Sequence, residues 1–228
     1  MEQRTQEWYE ARLGKLTASR AATAFDVYKI GAKKGAPTET AKKLILEMAY
    51  ERTTGNRIET PLTLPMRWGV EHEDEARNAY INQTGNEVTQ VGFIDHHEID
   101  MFGASPDGLV GSDGLLEIKC PSELVHLQRI EAGEVPPEYR TQMLVQMVCT
   151  GRKWCDFVDY DPRNTLIPLF VVRFEPTEEE LRETEEKAKA FLALVDEKVN
   201  ELRTIAAQYK AEHSEIWDEI EVKTEIEL

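Results

Sequence analysis

The chain contains few cysteines, and it has no long apolar run. The three cysteines, Cys120, Cys149 and Cys155, are odd in number and lack the close spacing of zinc motifs. This favours a reduced, cytosolic protein without structural disulfides. No apolar run approaches the length of a membrane span, about 20 residues, and residues 1–4 do not open a secretory signal. We therefore expect no association with a membrane.

Basic residues are also scarce, and the formal net charge is −16. Such a charge argues at first against nucleic-acid binding, which depends on Lys and Arg side chains that neutralise phosphates. The charge is unevenly distributed, however. Residues 175–228 carry 17 acidic and 7 basic side chains, whereas residues 1–67 carry 12 basic and 8 acidic ones. The N-terminal third can still meet a polyanion, so the net charge does not exclude DNA.

The 228 residues suffice for one sizeable domain with a hydrophobic core. Apolar periodicity and capping residues predict helices over 6–12, 20–25, 39–54, 67–84, 122–132, 137–151 and 176–210, and strands over 87–95, 101–110, 114–119, 153–160 and 166–174. Helices before and after a run of strands indicate a single domain of the α/β or α+β class. We assign this domain to residues 1–210 and an acidic tail to residues 211–228.

Candidate catalytic residues lie in the middle of the predicted sheet. Asp107 is at a bend, and Glu117 and Lys119 lie two apart on a strand, so both point to one face. A hairpin turn at residues 112–114 would bring Asp107 close to Glu117. The two carboxylates and the main-chain carbonyl of Ile118 are hard oxygen ligands that suit Mg²⁺. We expect Lys119 to hold and activate an attacking water, with a pKa lowered by metal and burial.

The Glu-x-Lys pattern alone is weak, because it also occurs at residues 185–187 and 221–223. Those two copies fall in the acidic helical region, where residues i and i+2 do not share a face. The copy at residues 117–119 lies in an apolar, β-like run with an aspartate upstream. The alternative interpretation of this segment is a surface hairpin with solvated charges.

Two predicted helices flank these residues. The helix over 67–84 carries four acidic residues near its start, most of which we expect on a solvated face: Glu71, Glu73, Asp74 and Glu75. Gln142 and Gln146 lie one turn apart in an otherwise apolar helix. They are either polar residues at the edge of a core helix or buried residues that need hydrogen-bond partners.

Six short segments in this order resemble the PD-(D/E)XK nuclease superfamily and, more narrowly, the bacteriophage lambda exonuclease (YqaJ-like) family of phage-type recombination exonucleases. The segments are WYEARLGKLTAS at 8–19, WGVEHE at 68–73, SPDG at 105–108, LEIKCP at 116–121, YRTQ at 139–142 and YDP at 160–162. The resemblance implies an α/β, restriction-endonuclease-like fold, with a central mixed sheet flanked by helices. It spans residues 8–174 and does not extend to the acidic tail.

The resemblance also implies roles for the catalytic residues. Asp107, Glu117 and the carbonyl of Ile118 would bind the catalytic Mg²⁺, and Glu73 would complete the network of metal and water. Lys119 would position and activate the nucleophilic water. Two Mg²⁺ ions per site are expected, and Mn²⁺ is expected to substitute for them.

Other residues match the family positions that handle the DNA end. Gln142 would orient the site from its helix, and Arg12 and Ser19 would bind the 5′-phosphate of the substrate. Ser19 lies at a predicted helix N-terminus, which favours an anion, and Arg12 can grip a phosphate with two N–H groups. By its position before the Glu73 helix, Met66 is a candidate wedge that splits the terminal base pair, although a pocket-filling role is the alternative.

The implied reaction is Mg²⁺-dependent hydrolysis of one strand of linear duplex DNA from a 5′-phosphorylated end, which releases mononucleotides and leaves a 3′ overhang for phage-type recombination. The family implies a ring-shaped trimer, a partner that anneals single strands, and a phage or prophage gene expressed in the bacterial cytoplasm. Two alternatives stay open. The chain could be an endonuclease of the same superfamily, which would cut closed circular DNA, or a catalytically silent scaffold that binds DNA ends.

Overall fold

The computed structural model describes residues 1–59 and 61–213, and within them the chain forms helices around two sheets. The helices are α1 (Gln6–Arg12), α2 (Ala18–Ala24), α3 (Glu39–Thr54), α4 (Leu64–Thr84), α5 (Glu123–Ala132), α6 (Pro137–Thr150) and α7 (Glu178–Glu212). The strands are β1 (Leu16–Thr17), β2 (Val88–Thr89), β3 (Ile94–Asp95), β4 (Phe102–Ala104), β5 (Gly108–Val110), β6 (Gly114–Lys119), β7 (Trp154–Tyr160) and β8 (Leu169–Phe174).

The larger sheet has the strand order β2-β5-β6-β7-β8, and the smaller one has the order β1-β4-β3. Strands β6 and β7 are parallel, whereas β5–β6 and β7–β8 are antiparallel pairs. The parallel pair needs a crossover connection, which α5 and α6 supply. The predicted mixed sheet flanked by helices is confirmed, and the small second sheet is an addition to it.

Strand β6 is buried on both faces, and its two faces meet different helices. Leu116 and Ile118 pack in a core with Ala76 and Tyr80 of α4. Leu115 belongs to a separate core that includes Met143 of α6. Because side chains alternate along a strand, Glu117 and Lys119 share the α6 side with Leu115. A third core joins α2, α3, α6 and α7. This arrangement puts the Glu-x-Lys pair beside the glutamines of α6.

The predicted helices are confirmed, with N-terminal shifts of one to three residues in four of them. Helix α4 begins at Leu64 rather than residue 67, because Thr63 caps it by accepting a bond from the N–H of Met66 at 3.4 Å and Pro65 fits its first turn. Met66 therefore lies in the helix rather than before it. Helix α2 begins at Ala18, directly after Thr17, so Ser19 belongs to its first turn.

The β-like stretches 87–95 and 101–110 are each divided between the two sheets, which the sequence prediction missed. In the second stretch the division falls at residues 105–107, where Pro106 has no N–H to donate to a ladder. The hairpin turn occupies residues 111–113, one residue earlier than predicted. Gly114 already belongs to β6, and a Cβ there would collide with the Trp154 ring at 2.2 Å, so the position requires glycine.

Helix α7 extends to Glu212 and begins with a capping box formed by Thr177 and Glu180. The Glu-x-Lys copy at 185–187 lies in this helix, as predicted, and Lys187 pairs there with Glu183 instead. The copy at 221–223 lies outside the described residues, as does most of the predicted tail, so the boundary at residue 210 stays a prediction. Within the described part of the chain, no helix is both long and apolar enough to cross a membrane.

Candidate active site

The β5–β6 hairpin fixes the position of Asp107. The main-chain N–H of Asp107 donates to the carbonyl of Leu116 at 3.1 Å. One carboxylate oxygen of Asp107 in turn accepts a bond from the N–H of Ile118 at 2.7 Å. Both bonds follow from the register that sets Gly108 opposite Leu116. The hairpin thus brings Asp107 to the strand that carries Glu117.

Glu117 is fully buried, and its carboxylate is held by three donors. One oxygen accepts bonds from the Gln142 amide at 2.6 Å and from the Lys119 ammonium. The other oxygen accepts a bond from the Gln146 amide at 2.5 Å. A buried carboxylate is tolerated only when it is paired and hydrogen-bonded, so the two glutamines of α6 have the partners that their burial demands. The edge-residue interpretation is therefore wrong for Gln146, which is fully buried, whereas Gln142 is half-buried.

The charges of the cluster perturb one another. Burial, together with the nearby Glu117 carboxylate, raises the pKa of Asp107 to about 8. For Lys119, burial acts to lower the pKa, but the carboxylates of Glu117 and Asp107 outweigh it and raise the pKa above its usual range. Burial thus acts as expected but is outweighed by the two carboxylates, and the expected effect of a bound metal on the pKa of Lys119 stays a prediction. Lys119 is a cation in this cluster.

Glu73 reaches the same cleft from α4 but is held by guanidinium groups. Its carboxylate accepts a bond from Arg77 at 2.8 Å and pairs with Arg4. Arg77 also donates to the main-chain carbonyl of Asp107 at 3.3 Å, so it links the two acidic positions. These residues and Gln3 line a cavity of about 360 Å³. The other three acids of this stretch of α4 are exposed, as expected: Glu71, Asp74 and Glu75.

The donor set suits a hard divalent cation. Burial and the nearby Glu117 carboxylate raise the pKa of Asp107, and a cation bound to both carboxylates would relieve their repulsion. In the described residues no three His, Cys, Asp or Glu side chains gather as a metal site. A cation held by Asp107 and Glu117 would therefore use the Ile118 carbonyl and water as well, which is the usual coordination of Mg²⁺.

A second polar pocket is formed by Arg12 and two hydroxyl groups. The Arg12 guanidinium donates to Ser19 Oγ and to Ser105 Oγ, each at 3.3 Å. It stacks on the Trp8 ring, with the guanidinium carbon 4.1 Å from the ring centroid. The indole N–H of Trp8 also donates to Ser105 at 2.9 Å. The structure thus brings Arg12 and Ser19 together, as the resemblance implied, and adds Ser105 to them.

No carboxylate contacts Arg12 within residues 1–59 and 61–213. Burial and the charge of Arg20 lower the pKa of Arg12 to about 10, so the group remains a cation at neutral pH. A half-buried guanidinium that contacts hydroxyls rather than an acid is suited to an anionic ligand, and its planar donors match a phosphate.

Comparison with known proteins assigns the chain to a family. Residues 7–153 match the family model described as the YqaJ-like viral recombinase domain. The chain belongs to the YqaJ-like viral recombinase family. Among curated proteins nothing matches it.

Solved structures add a close relative of this YqaJ-like chain. It is similar to LHK-Exo, an alkaline exonuclease from Laribacter hongkongensis, with 42% identity over 90% of this chain and 100% of that chain and a TM-score of 0.80. A structure of LHK-Exo in complex with dAMP matches with a TM-score of 0.81 and the same identity and coverage. A phage related exonuclease from Haemophilus somnus 129PT shares the fold, with 20% identity over 82% of this chain and 96% of that chain and a TM-score of 0.62. This YqaJ-like chain is therefore a nuclease homologous to an alkaline exonuclease.

Met66, the candidate wedge, is not brought into contact with the carboxylate cluster. It lies in the first turn of α4 and is 49% exposed, which contradicts the pocket-filling alternative.

Sequence reasoning did not assign roles to Ser105, Arg77 or Arg4 in this YqaJ-like chain. Ser105 had a detectable signal, because it lies two residues before Asp107 in the SPDG segment. Arg77 had a weaker one, since it lies four residues after Glu73 and so on the same face of the helix. Arg4 had none, because only the folded chain brings the N-terminal segment to the cleft.

Proposed function

We propose that this protein is a Mg²⁺-dependent exonuclease that digests one strand of linear duplex DNA from a 5′-phosphorylated end. The observation that carries the proposal is the short link between the two polar sites. Ser105 contacts Arg12 in the pocket formed by Arg12, Ser19 and Ser105, which we call the phosphate pocket. Two residues later, Asp107 lies in the carboxylate cluster with Glu117. A terminal phosphate bound at Arg12 would hold a nearby phosphodiester at the carboxylates, which favours release of one nucleotide at a time.

The residues would act together on the phosphodiester. Asp107, Glu117 and the Ile118 carbonyl would hold Mg²⁺, which when bound supplies Lewis-acid stabilisation and an activated water. The Lys119 ammonium positions the water and the scissile phosphate by donating hydrogen bonds, since its pKa is raised.

Positioning residues complete the proposed centre. Gln142 and Gln146 fix the rotamer of Glu117 from α6. Glu73, held by Arg77, lies at the other side of the cleft and would order water there.

Relatives support this reading of the products and the chemistry. LHK-Exo is named an alkaline exonuclease and was solved with dAMP, a nucleoside 5′-monophosphate of the kind that stepwise hydrolysis would release. We infer the 5′-to-3′ direction from the phosphate pocket and the resulting 3′ overhang from that direction.

The test compares linear and closed circular duplex DNA, with 5′-phosphate or 5′-hydroxyl ends and with or without Mg²⁺. We expect digestion only of linear DNA with Mg²⁺, and faster digestion from 5′-phosphorylated ends. Asp107→Ala should abolish digestion while DNA-end binding persists, and Arg12→Ala should reduce the preference for phosphorylated ends. Cleavage of circular DNA would instead indicate an endonuclease, and inactivity of the parent on every substrate would indicate a scaffold.

The assembly and the partners stay proposals that rest on family resemblance. A ring-shaped trimer would let the acidic faces point outward while the basic N-terminal third meets DNA, and light scattering of the purified protein would measure the mass. The exposed acidic side chains of α7 are a candidate surface for a single-strand annealing protein.

A further inference from the structure

Behind the phosphate pocket, helix α3 carries a carboxylate that neither polar site uses. Glu51 is only 2% exposed. Arg20 binds it with both guanidinium N–H₂ groups, at 2.9 and 3.0 Å. Burying this pair costs desolvation energy and is weak evidence for a purely stabilising role. Its position suggests a different one.

Glu51 also holds the main chain that follows Arg12. One of its oxygens accepts a bond from the N–H of Gly14 at 3.2 Å. The next residue of α3, Arg52, donates to the carbonyl of Gly14 at 2.7 Å. Gly14 has a φ of +65°, a left-handed conformation that favours glycine. Helix α3 thus binds both the N–H and the carbonyl of Gly14, in the turn between Arg12 and β1.

The same carboxylate reaches the other wall of the pocket through Arg20, the neighbour of Ser19 in α2. One side chain therefore spans both elements that converge on the proposed phosphate position: the turn after Arg12 and the first turn that carries Ser19. A shift of either element would separate the guanidinium from the hydroxyl, which are 3.3 Å apart.

The pair also sets the charge of the pocket. The charge of Arg20 acts against that of Arg12, whereas Glu51 favours it. Because Glu51 takes both donor groups of Arg20, that guanidinium is neutralised locally, and Arg12 is left with hydroxyl contacts. A phosphate is then drawn to Arg12 rather than shared between two arginines.

We infer that Glu51, acting through Arg20 and Gly14, is a positioning residue that gives the enzyme its selectivity for a 5′-phosphate. The inference rests on the proposed role of Arg12 and Ser19. It predicts that the loss of Glu51 weakens recognition of the phosphate specifically, without affecting the nucleoside part of a ligand.

The experiment measures binding of dAMP and of deoxyadenosine by calorimetry without Mg²⁺, together with the ratio of digestion rates on 5′-phosphorylated and 5′-hydroxyl duplexes with Mg²⁺. Glu51→Gln should lower the dAMP affinity and the rate ratio by about tenfold, the size of one charge-assisted hydrogen bond. In an Arg12→Ala background the same substitution should cause no further loss of either.

A matched control is Asp156→Asn. Asp156 is also buried and also accepts a two-pronged pair, from Arg173 at 2.8 and 3.0 Å, but on β7. It should lower stability without changing the rate ratio. If Glu51→Gln does not fold by near-ultraviolet circular dichroism, Arg20→Lys decides. That side chain is 28% exposed, and lysine keeps the charge but cannot bind both carboxylate oxygens.

The role of Glu51 and the phosphate pocket itself fail on different results. A parent protein that binds dAMP no better than deoxyadenosine and does not distinguish the two DNA ends would refute the phosphate pocket itself. If Arg12→Ala loses the preference while the folded Glu51→Gln or Arg20→Lys variant keeps it, the pocket stands and the role of Glu51 is overturned.

Discussion

Replacing Gln146 by methionine tests whether α6 holds the catalytic carboxylate. Gln146 is fully buried, and in the described chain its amide is the donor to the second oxygen of Glu117, at 2.5 Å. Methionine has a similar volume and helix propensity, so packing should change little. The substitution therefore removes one charge-assisted hydrogen bond and leaves a buried carboxylate oxygen without it.

A hydrogen bond to a charged group contributes about 1.5–3 kcal/mol, and an unsatisfied buried acceptor adds to the loss. We expect Gln146→Met to lower the free energy of unfolding by about 2–3 kcal/mol. The freed Glu117 should also leave its productive orientation, which would reduce kcat by about tenfold or more. The loss should exceed that of Gln142→Met, because Gln142 is partly exposed and shares its oxygen with Lys119.

Urea unfolding followed by circular dichroism measures the stability, and digestion of linear duplex DNA measures kcat. Gln128→Met is the matched control, since Gln128 is exposed on α5 and its loss should stay within about 0.5 kcal/mol. An ordinary neutral hydrogen bond contributes about 1 kcal/mol. If Gln146→Met loses less than about 1 kcal/mol more than Gln128→Met, the hydrogen bond from Gln146 does not hold Glu117 in place.

Two further predictions concern Asp107 and Met66. The pKa of Asp107 is raised from 3.8 to about 8, so its contribution to stability is present below pH 3.8 and is lost as the pH rises to about 8. In Mg²⁺-free buffer, the free energy of unfolding of Asp107→Asn, relative to that of the parent, should therefore rise from pH 3.8 to about pH 8 and stay constant above it. Urea titrations at several pH values measure this difference. A difference that does not change with pH would contradict the raised pKa of Asp107. Met66 is 49% exposed, so Met66→Ala should change the free energy of unfolding by less than about 0.5 kcal/mol. If Met66 separates the terminal base pair, the same substitution should slow digestion of paired ends more than of mismatched ends. Equal slowing of both would exclude the wedge.

Features set by local periodicity could be predicted from the sequence. Strand alternation placed Glu117 and Lys119 on one face, and the one-turn spacing of Gln142 and Gln146 placed both amides on one face of their helix. Both signals are contained in short windows and require no knowledge of the fold. Helix lengths followed in the same way from apolar spacing and capping residues.

Features that depend on distant packing could not be predicted. The division of residues 87–95 and 101–110 between two sheets depends on which strands lie next to them, and the local pattern is the same for either sheet. The contact of Arg4 with Glu73 joins positions 69 apart in the chain, and that of Arg12 with Ser105 joins positions 93 apart. Only the folded chain shows both carboxylates, Glu117 and Asp107, beside the Lys119 ammonium, and their effect on its pKa outweighs that of burial.

The β5–β6 hairpin carries both carboxylates at its open end, whereas the turn at residues 111–113 lies at the other end. Insertions at this turn that preserve the register would leave the distance between Asp107 and the Glu117 strand unchanged. A slip of one residue would instead turn Glu117 toward α4 and Leu116 toward α6. Natural variation in this family should therefore be restricted in the pairing register and at Gly111, whose φ of +50° favours glycine. The exposed Ser112 is a suitable place to attach a fluorophore that reports on DNA without disturbing cleavage.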